Sequence, residues 1–200
     1  WAFYIQGDEV VHEKYLPIIK EEMLKHKDNL KVDGLLLDYL HFYGSYDYVG
    51  AAHNWYRKEV RVIRSSKNIH SYKDAQGFRK DDNQKLNVKA IKASMFHYGW
   101  VKEPKAMQGK QETFHKLWHS DNWLDKNVVK TDAFDYSVID ALYPFKETHP
   151  KVMKDRITSK NWKFDFDISM NKLNFIDKLK DFIEKITGKR LGEYKNYKEV

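Results

Sequence analysis

Trp1-Ala2-Phe3-Tyr4-Ile5-Gln6-Gly7-Asp8-Glu9 opens the chain. Ala2 to Ile5 is short, apolar and uncharged, so it predicts a buried strand. That strand delivers a glycine and two carboxylates at its carboxyl end. In open α/β sheets the ligand crevice lies at that end. Gly7 lets a ligand approach the backbone closely. Asp8 suits a hard divalent cation held against phosphate oxygens. An alternative stays open: Asp8 or Glu9 could cap the helix that follows by accepting from its first free amides.

Reading outward, Val11, Tyr15, Ile18, Ile19, Met23 and Leu24 have helical spacing and predict a helix over residues 12–27. Pro17 moves its start toward Leu16, because proline is tolerated only in a first turn. Strands are expected over residues 34–42, 59–64 and 86–93, the last two from period-two alternation. A tyrosine-rich loop, residues 43–52, separates the first two. From Glu103 the pattern turns helical, with Pro104 in the first turn and Met107, Phe114, Leu117 and Trp118 as its apolar face. Residues 120–132 read as loop and residues 136–143 as a short helix stopped by Pro144. A helix is expected through Ile157 and an extended segment over residues 162–166. Residues 171–187 form an amphipathic helix closed by Gly188. Its Leu173, Ile176, Leu179, Phe182, Ile183 and Ile186 are expected to pack into an ordinary core. The fold class is therefore α/β: a body over residues 1–120 and a mostly helical C-terminal extension over residues 121–200.

Composition narrows the chemistry. Of 200 residues, 42% are hydrophobic and 15% aromatic, enough for a core. Cysteine is absent, which excludes a disulfide scaffold, thiolate-bound zinc and thiol catalysis. The net charge of +7 is spread over both halves. It fits either a lysine-rich surface or attraction to an anionic ligand. Nucleic-acid binding needs a clustered basic face, and none is evident. No apolar run approaches about 20 residues, so no transmembrane helix is expected. Glycine-rich phosphate loops, dinucleotide fingerprints, nucleophile elbows and paired-histidine zinc motifs are all missing from the sequence. Trp1 is not a start methionine, so the chain is expected to be a piece of something longer. The lack of a signal-like opening predicts a cytoplasmic location, with the inner face of the membrane as the other candidate.

Three further places invite chemistry. His97, in Phe96-His97-Tyr98-Gly99-Trp100, follows a strand and precedes a glycine, and could contact a metal or a diphosphate, or be structural. Asp74 sits in a loop between two candidate strands, where a carboxylate could take a proton from a hydroxyl or simply bond its own turn. Trp55 and Tyr56 lie among the loop tyrosines and could stack on a sugar or form a small core. Arg57, Arg61, Arg64 and Arg79 could each pair with phosphate. Arg61 and Arg64 lie on opposite strand faces, so one ligand cannot engage both.

Together these segments resemble family 2 glycosyltransferases, in particular a bacterial subgroup. Phe3 to Glu9 is similar to the family's strand and acidic motif, and Trp55 to Arg64 to its Arg-x-x-Arg-hydrophobic strand. Asp74 and His97 fall where the family carries its base and a late metal- or diphosphate-contacting histidine. Thr148-His149-Pro150-Lys151-Val152-Met153 and Thr187-Gly188-Lys189-Arg190-Leu191 extend the likeness to the C-terminal region. The resemblance implies a GT-A fold that transfers a sugar from a nucleotide-sugar to an acceptor hydroxyl, with inversion and with Mg or Mn bridging the diphosphate. It makes Asp8 and His97 the metal contacts and Asp74 the general base. It groups Gln6, Asp8, Glu9, Trp55, Tyr56 and Arg79 around the substrate. Gln6 stands where the family's first aspartate usually is, and a neutral amide is a weaker cation ligand. The family's nucleotide-gripping N-terminal half is expected to precede Trp1. The alternative is a non-catalytic carbohydrate-binding or assembly module on the same fold.

Overall fold

The structure, a computed structural model, describes residues 1–66, 68–73, 77–118, 131–139, 141–173, 175–187 and 190–200. It is a mixed α/β fold built on one eight-stranded sheet, with a small three-stranded sheet beside it. Two strands organise the large sheet: β3 (Gly34–Tyr43) and β9 (Asn87–Trp100). They run parallel, with Gly34 opposite Val88 and His41 opposite His97. β3 is buried on both faces over most of its length, which explains its near-continuous apolar run. On its other side it pairs antiparallel with β5 (Lys58–Ile63), which in turn holds β1 (Ala2–Phe3). At its end, β3 pairs with β4 (Tyr48–Gly50), and β4 pairs with β10 (Leu142–Pro144).

β9 carries β2 (Glu9–Val11) antiparallel along its second half and β11 (Lys198–Glu199) parallel along its first. The apolar opening is therefore split and is not the buried strand expected over Ala2 to Ile5: only Ala2–Phe3 pairs, and Ala2 and Ile5 are exposed. Two residues pair with β5, and a turn at Gln6–Glu9 moves the chain across to β9. Glu9 N–H donates to the Gln6 carbonyl at 3.0 Å, and Gln6 N–H donates to Glu9 Oε2 at 3.2 Å.

α1 (Leu16–Lys25) begins with Pro17 in its first turn, after a 3-10 turn over Glu13–Tyr15. Ile19 brings it onto the cluster of Val32, Leu35, Leu37, Val62, Ile91 and Ala93. Each fully buried aliphatic side chain there contributes about 1.5–3 kcal/mol. Arg64 holds the chain beyond α1, donating to the carbonyls of His26 (2.7 Å), Asn29 (2.7 Å) and Val32 (2.6 Å). It serves the fold and does not face a ligand. β6 (Ile69–Ser71), β7 (Phe78–Lys80) and β8 (Gln84–Lys85) make the small sheet. α2 (Pro104–Trp118) follows β9 with Pro104 in its first turn and Met107 fully buried.

Three further expectations need correction. Of the helix expected over residues 136–143, the described residues 136–139 and 141–143 are not helical. Asp135 accepts from the Ser137 amide to close a turn, and Leu142–Pro144 then joins β4 as an edge strand, where proline is tolerated. The expected loop over residues 43–52 contains β4. The helix over 171–187 forms as α4 (Phe175–Thr187), but its apolar side is not in the core: Phe175, Phe182 and Ile186 are 80, 61 and 68% exposed. The C-terminal part also holds a short helix, α3 (Lys154–Thr158), together with β10 and β11. The loop expected over residues 120–132, apart from its last two residues, and the Gly188 cap lie outside the described residues.

Candidate functional site

Asp8 is the last residue of the Gln6–Glu9 turn before β2 pairs with β9. Its carbonyl accepts from the Tyr98 amide at 2.8 Å, and Glu9 stands opposite His97 in the ladder. That register brings Asp8 Oδ2 to 3.5 Å from His97 Nε2, across 89 positions of sequence. Gly99 leaves the space in which they meet. A Cβ on Gly99 would lie 2.5 Å from His97 Nε2 and 2.6 Å from Asp8 Oδ2.

Extended backbone sends neighbouring side chains to opposite faces. Asp8 therefore points outward, while Glu9 points into the protein. The expectation that Glu9 stands beside Asp8 facing a ligand is not met. Glu9 is fully enclosed, gripped by Arg61 at 2.6 Å and 2.9 Å and bonded by the Tyr39 hydroxyl. The same guanidinium donates to Glu59 at 3.1 Å. Burial pushes the Glu59 carboxyl up to about 7, against the pull of Arg61. This network lies beneath the site: the Tyr39 ring sits 5.5 Å from His97 and 4.7 Å from His41.

His97 is held from behind by His41 on β3, with the two Nδ1 atoms 3.2 Å apart. His41 Nε2 lies 3.1 Å from the Tyr56 carbonyl, which can only accept. Burial, then the charge of His97, lowers His41 to about 3, so it is neutral. Its proton is on Nε2, its Nδ1 accepts, and the His97 Nδ1–H donates to it. His97 Nε2 is thereby aimed at Asp8. As imidazolium it donates to the carboxylate; as imidazole it offers a lone pair beside it. Asp8 is lowered to about 2, chiefly by its hydrogen bond with His97, with Lys110 adding to this against the opposing effect of burial.

Asp8 also borders an open cavity of about 620 Å³, lined by Gly7, Lys102, Ala106, Gly109, Lys110 and Thr113. Lys110 Nζ is 3.5 Å from Asp8 Oδ2 and donates to the Gly99 carbonyl at 2.8 Å. Two lysines and a carboxylate thus share one rim, and the imidazole of His97 meets that carboxylate from the sheet side. Lys110 and His41 carried no sequence signal of their own. Lys110 falls one turn after buried Met107, and His41 falls two residues after Tyr39 on the same strand face.

The remaining expected site residues scatter. Gln6 sits in the turn, 3.5 Å from Arg61 through its side-chain oxygen. Tyr56 is exposed and packs edge-on against His41 at 4.4 Å, close to the site. Trp55 is half-buried against His41 and Tyr43. Arg57 donates to the carbonyls of Gly50 and Ala51. Arg79 does not reach a ligand: it is buried, stacks on Tyr72 and donates to the carbonyls of Phe78 and Asn196. Asp74 lies outside the described residues.

Among the described residues no three His, Asp or Glu side chains converge on a metal position. Asp8 Oδ2 and His97 Nε2 supply two donors of the kind that hold Mg or Mn jointly with substrate phosphates. The donor set fits a cation shared with a diphosphate and not a cage made by protein alone. No family model, curated protein or solved structure matches the chain. No helix among the described residues is long and apolar enough to cross a membrane.

Proposed function

We propose that the chain is the acceptor-side part of a GT-A-type glycosyltransferase, moving a sugar from a nucleotide-sugar to a hydroxyl with inversion. The observation that carries this reading is that Asp8, which lines the cavity beside Lys102 and Lys110, is met by His97 Nε2 at 3.5 Å. As the sugar bond breaks, negative charge grows on the leaving diphosphate. Lys102 and Lys110 stand at the rim where that charge would develop, and cations fixed there favour the transition state over the ground state. Asp8 and His97 would hold a divalent cation, which when bound acts as a Lewis acid on the phosphate oxygens. His41 keeps the His97 Nε2 directed outward. The likeness to the family assigns removal of the acceptor proton to Asp74.

A second reading, a non-catalytic carbohydrate-binding module, is favoured by Lys110, whose ammonium stands beside Asp8 where a metal would compete with it. Nucleotide-sugar turnover separates the two. The full-length protein, offered a panel of nucleotide-sugars with Mn and a glycan acceptor mixture, is expected to release nucleoside diphosphate. Asp74→Asn is expected to stop release while nucleotide binding persists. If the full-length protein binds glycans but neither binds nor consumes any nucleotide-sugar, the transferase reading is wrong.

A further inference from the structure

α4 is mounted with its polar side toward the protein and its apolar side toward solvent. Phe175, Ile176, Leu179, Phe182 and Ile186 are all exposed. At helical spacing they form one stripe about 120° wide. Asp177, Lys180 and Glu184, on the opposite side, are only 21, 33 and 28% exposed. Both flanks fix this orientation. Leu173, just before the helix, packs against Ala51, Ala52 and Ala141. Arg190, just beyond it, donates to the carbonyls of Trp55 at 2.8 Å and Ala52 at 3.2 Å, and lies 3.8 Å from Glu184 on the polar side.

The charge around the stripe indicates what covers it. Residues 172–190 hold six basic and three acidic side chains, on a chain of net charge +7. Exposed Lys178 borders one edge of the stripe. Lysines at the edges of an apolar stripe can reach headgroups while phenylalanine and isoleucine enter the acyl boundary. A second copy of the chain would bring like-charged borders together, which disfavours pairing. Thirteen residues span about 20 Å of helix, too short to cross a hydrocarbon core of about 30 Å but sufficient to lie along it.

We propose that α4 is an interfacial anchor that lays its Phe175–Phe182–Ile186 stripe into the surface of an anionic lipid bilayer. The docking is independent of the reaction proposed for the cavity. Because the chain has no cysteine, Ile186→Cys provides a unique thiol for an environment-sensitive nitrobenzoxadiazole label. On vesicles of phosphatidylcholine with phosphatidylglycerol, the label is expected to brighten about threefold or more and shift to the blue, and to respond less to phosphatidylcholine alone. A label at Lys20→Cys on exposed α1 is expected to stay unchanged. The double variant Phe175→Ser, Phe182→Ser changes only exposed side chains. With an unchanged melting temperature, it is expected to lose about tenfold or more in vesicle partitioning. A silent label at position 186 on anionic vesicles would overturn the proposal. So would a serine variant that partitions like the wild type, or a dimer in which the label is already shielded without lipid.

Discussion

The Nδ1 atoms of His41 and His97 face one another across β3 and β9 at 3.2 Å. One imidazole is thereby used to orient another, and the outward nitrogen of His97 is directed at Asp8 by a contact made on the far side of its ring. Loss of such an outer partner typically costs about 10–100-fold in the affinity of the site it supports. His41→Leu is expected to weaken Mn-dependent nucleoside diphosphate binding by about tenfold or more, read by isothermal titration, with the far-ultraviolet circular dichroism unchanged. Unchanged affinity would remove His41 from this role.

Gly99 supplies the room in which Asp8 and His97 meet. In Gly99→Ala the new methyl would stand 2.5 Å from one and 2.6 Å from the other, so the pair must separate. The backbone conformation at Gly99 is open to any residue. The expected outcome is loss of diphosphate binding with a fall of only a few degrees in melting temperature. Binding at the wild-type level would show that the pair does not act jointly.

Glu59 makes stability fall as pH rises. Burial holds its folded carboxyl near 7, above the ordinary 4.5 of an unfolded glutamate. Below pH 4.5 both states are protonated and the group contributes nothing. Between 4.5 and 7 the unfolded chain loses its proton first, and above 7 the full cost of about 3 kcal/mol is reached. Asp8 acts in the opposite sense and in another window, its contribution being lost as pH falls from about 4 toward 2. Urea unfolding at pH 5 and pH 8 should show the decrease, and Glu59→Gln should flatten it. A Glu59→Gln profile that overlays the wild type would refute the assignment.

Arg61 is the cation that makes buried Glu9 tolerable. Arg61→Met leaves that carboxylate enclosed with the Tyr39 hydroxyl and no positive charge, which costs about 3–5 kcal/mol. Adding Glu9→Gln to Arg61→Met should recover a large part of the loss. Denaturant titration of the wild type and these two variants gives the comparison, and a mild single Arg61→Met effect would contradict it.

Much of the architecture could be read from residue pattern, because the strands carry apolar runs with clear stops. β3, β5, the start of α1 at Pro17 and the helical period of α4 all follow from local chemistry, whereas the opening run pairs only at Ala2–Phe3 and leaves Ala2 and Ile5 exposed. What pattern could not supply is direction. An amphipathic helix announces an apolar side but not what that side meets, so α4 read as core packing when its polar side faces the protein. Glu9 was legible in principle: period two places it opposite Asp8, and two adjacent carboxylates cannot both face the same cavity. Lys110 was not, because its place beside Asp8 depends on where α2 lands after β9. Arg79 read as a phosphate ligand since a sequence does not reveal which guanidinium is spent on carbonyls.

The account turns on Asp8 and His97 acting together on a cation bound with a diphosphate. Electron spin echo spectroscopy of the chain with Mn and a nucleoside diphosphate tests that directly. The predicted result is a nitrogen-14 coupling from one imidazole that persists in Tyr56→Phe and disappears in His97→Ala. A bound Mn–diphosphate complex with no nitrogen coupling, or one indifferent to both Asp8→Asn and His97→Ala, would contradict it.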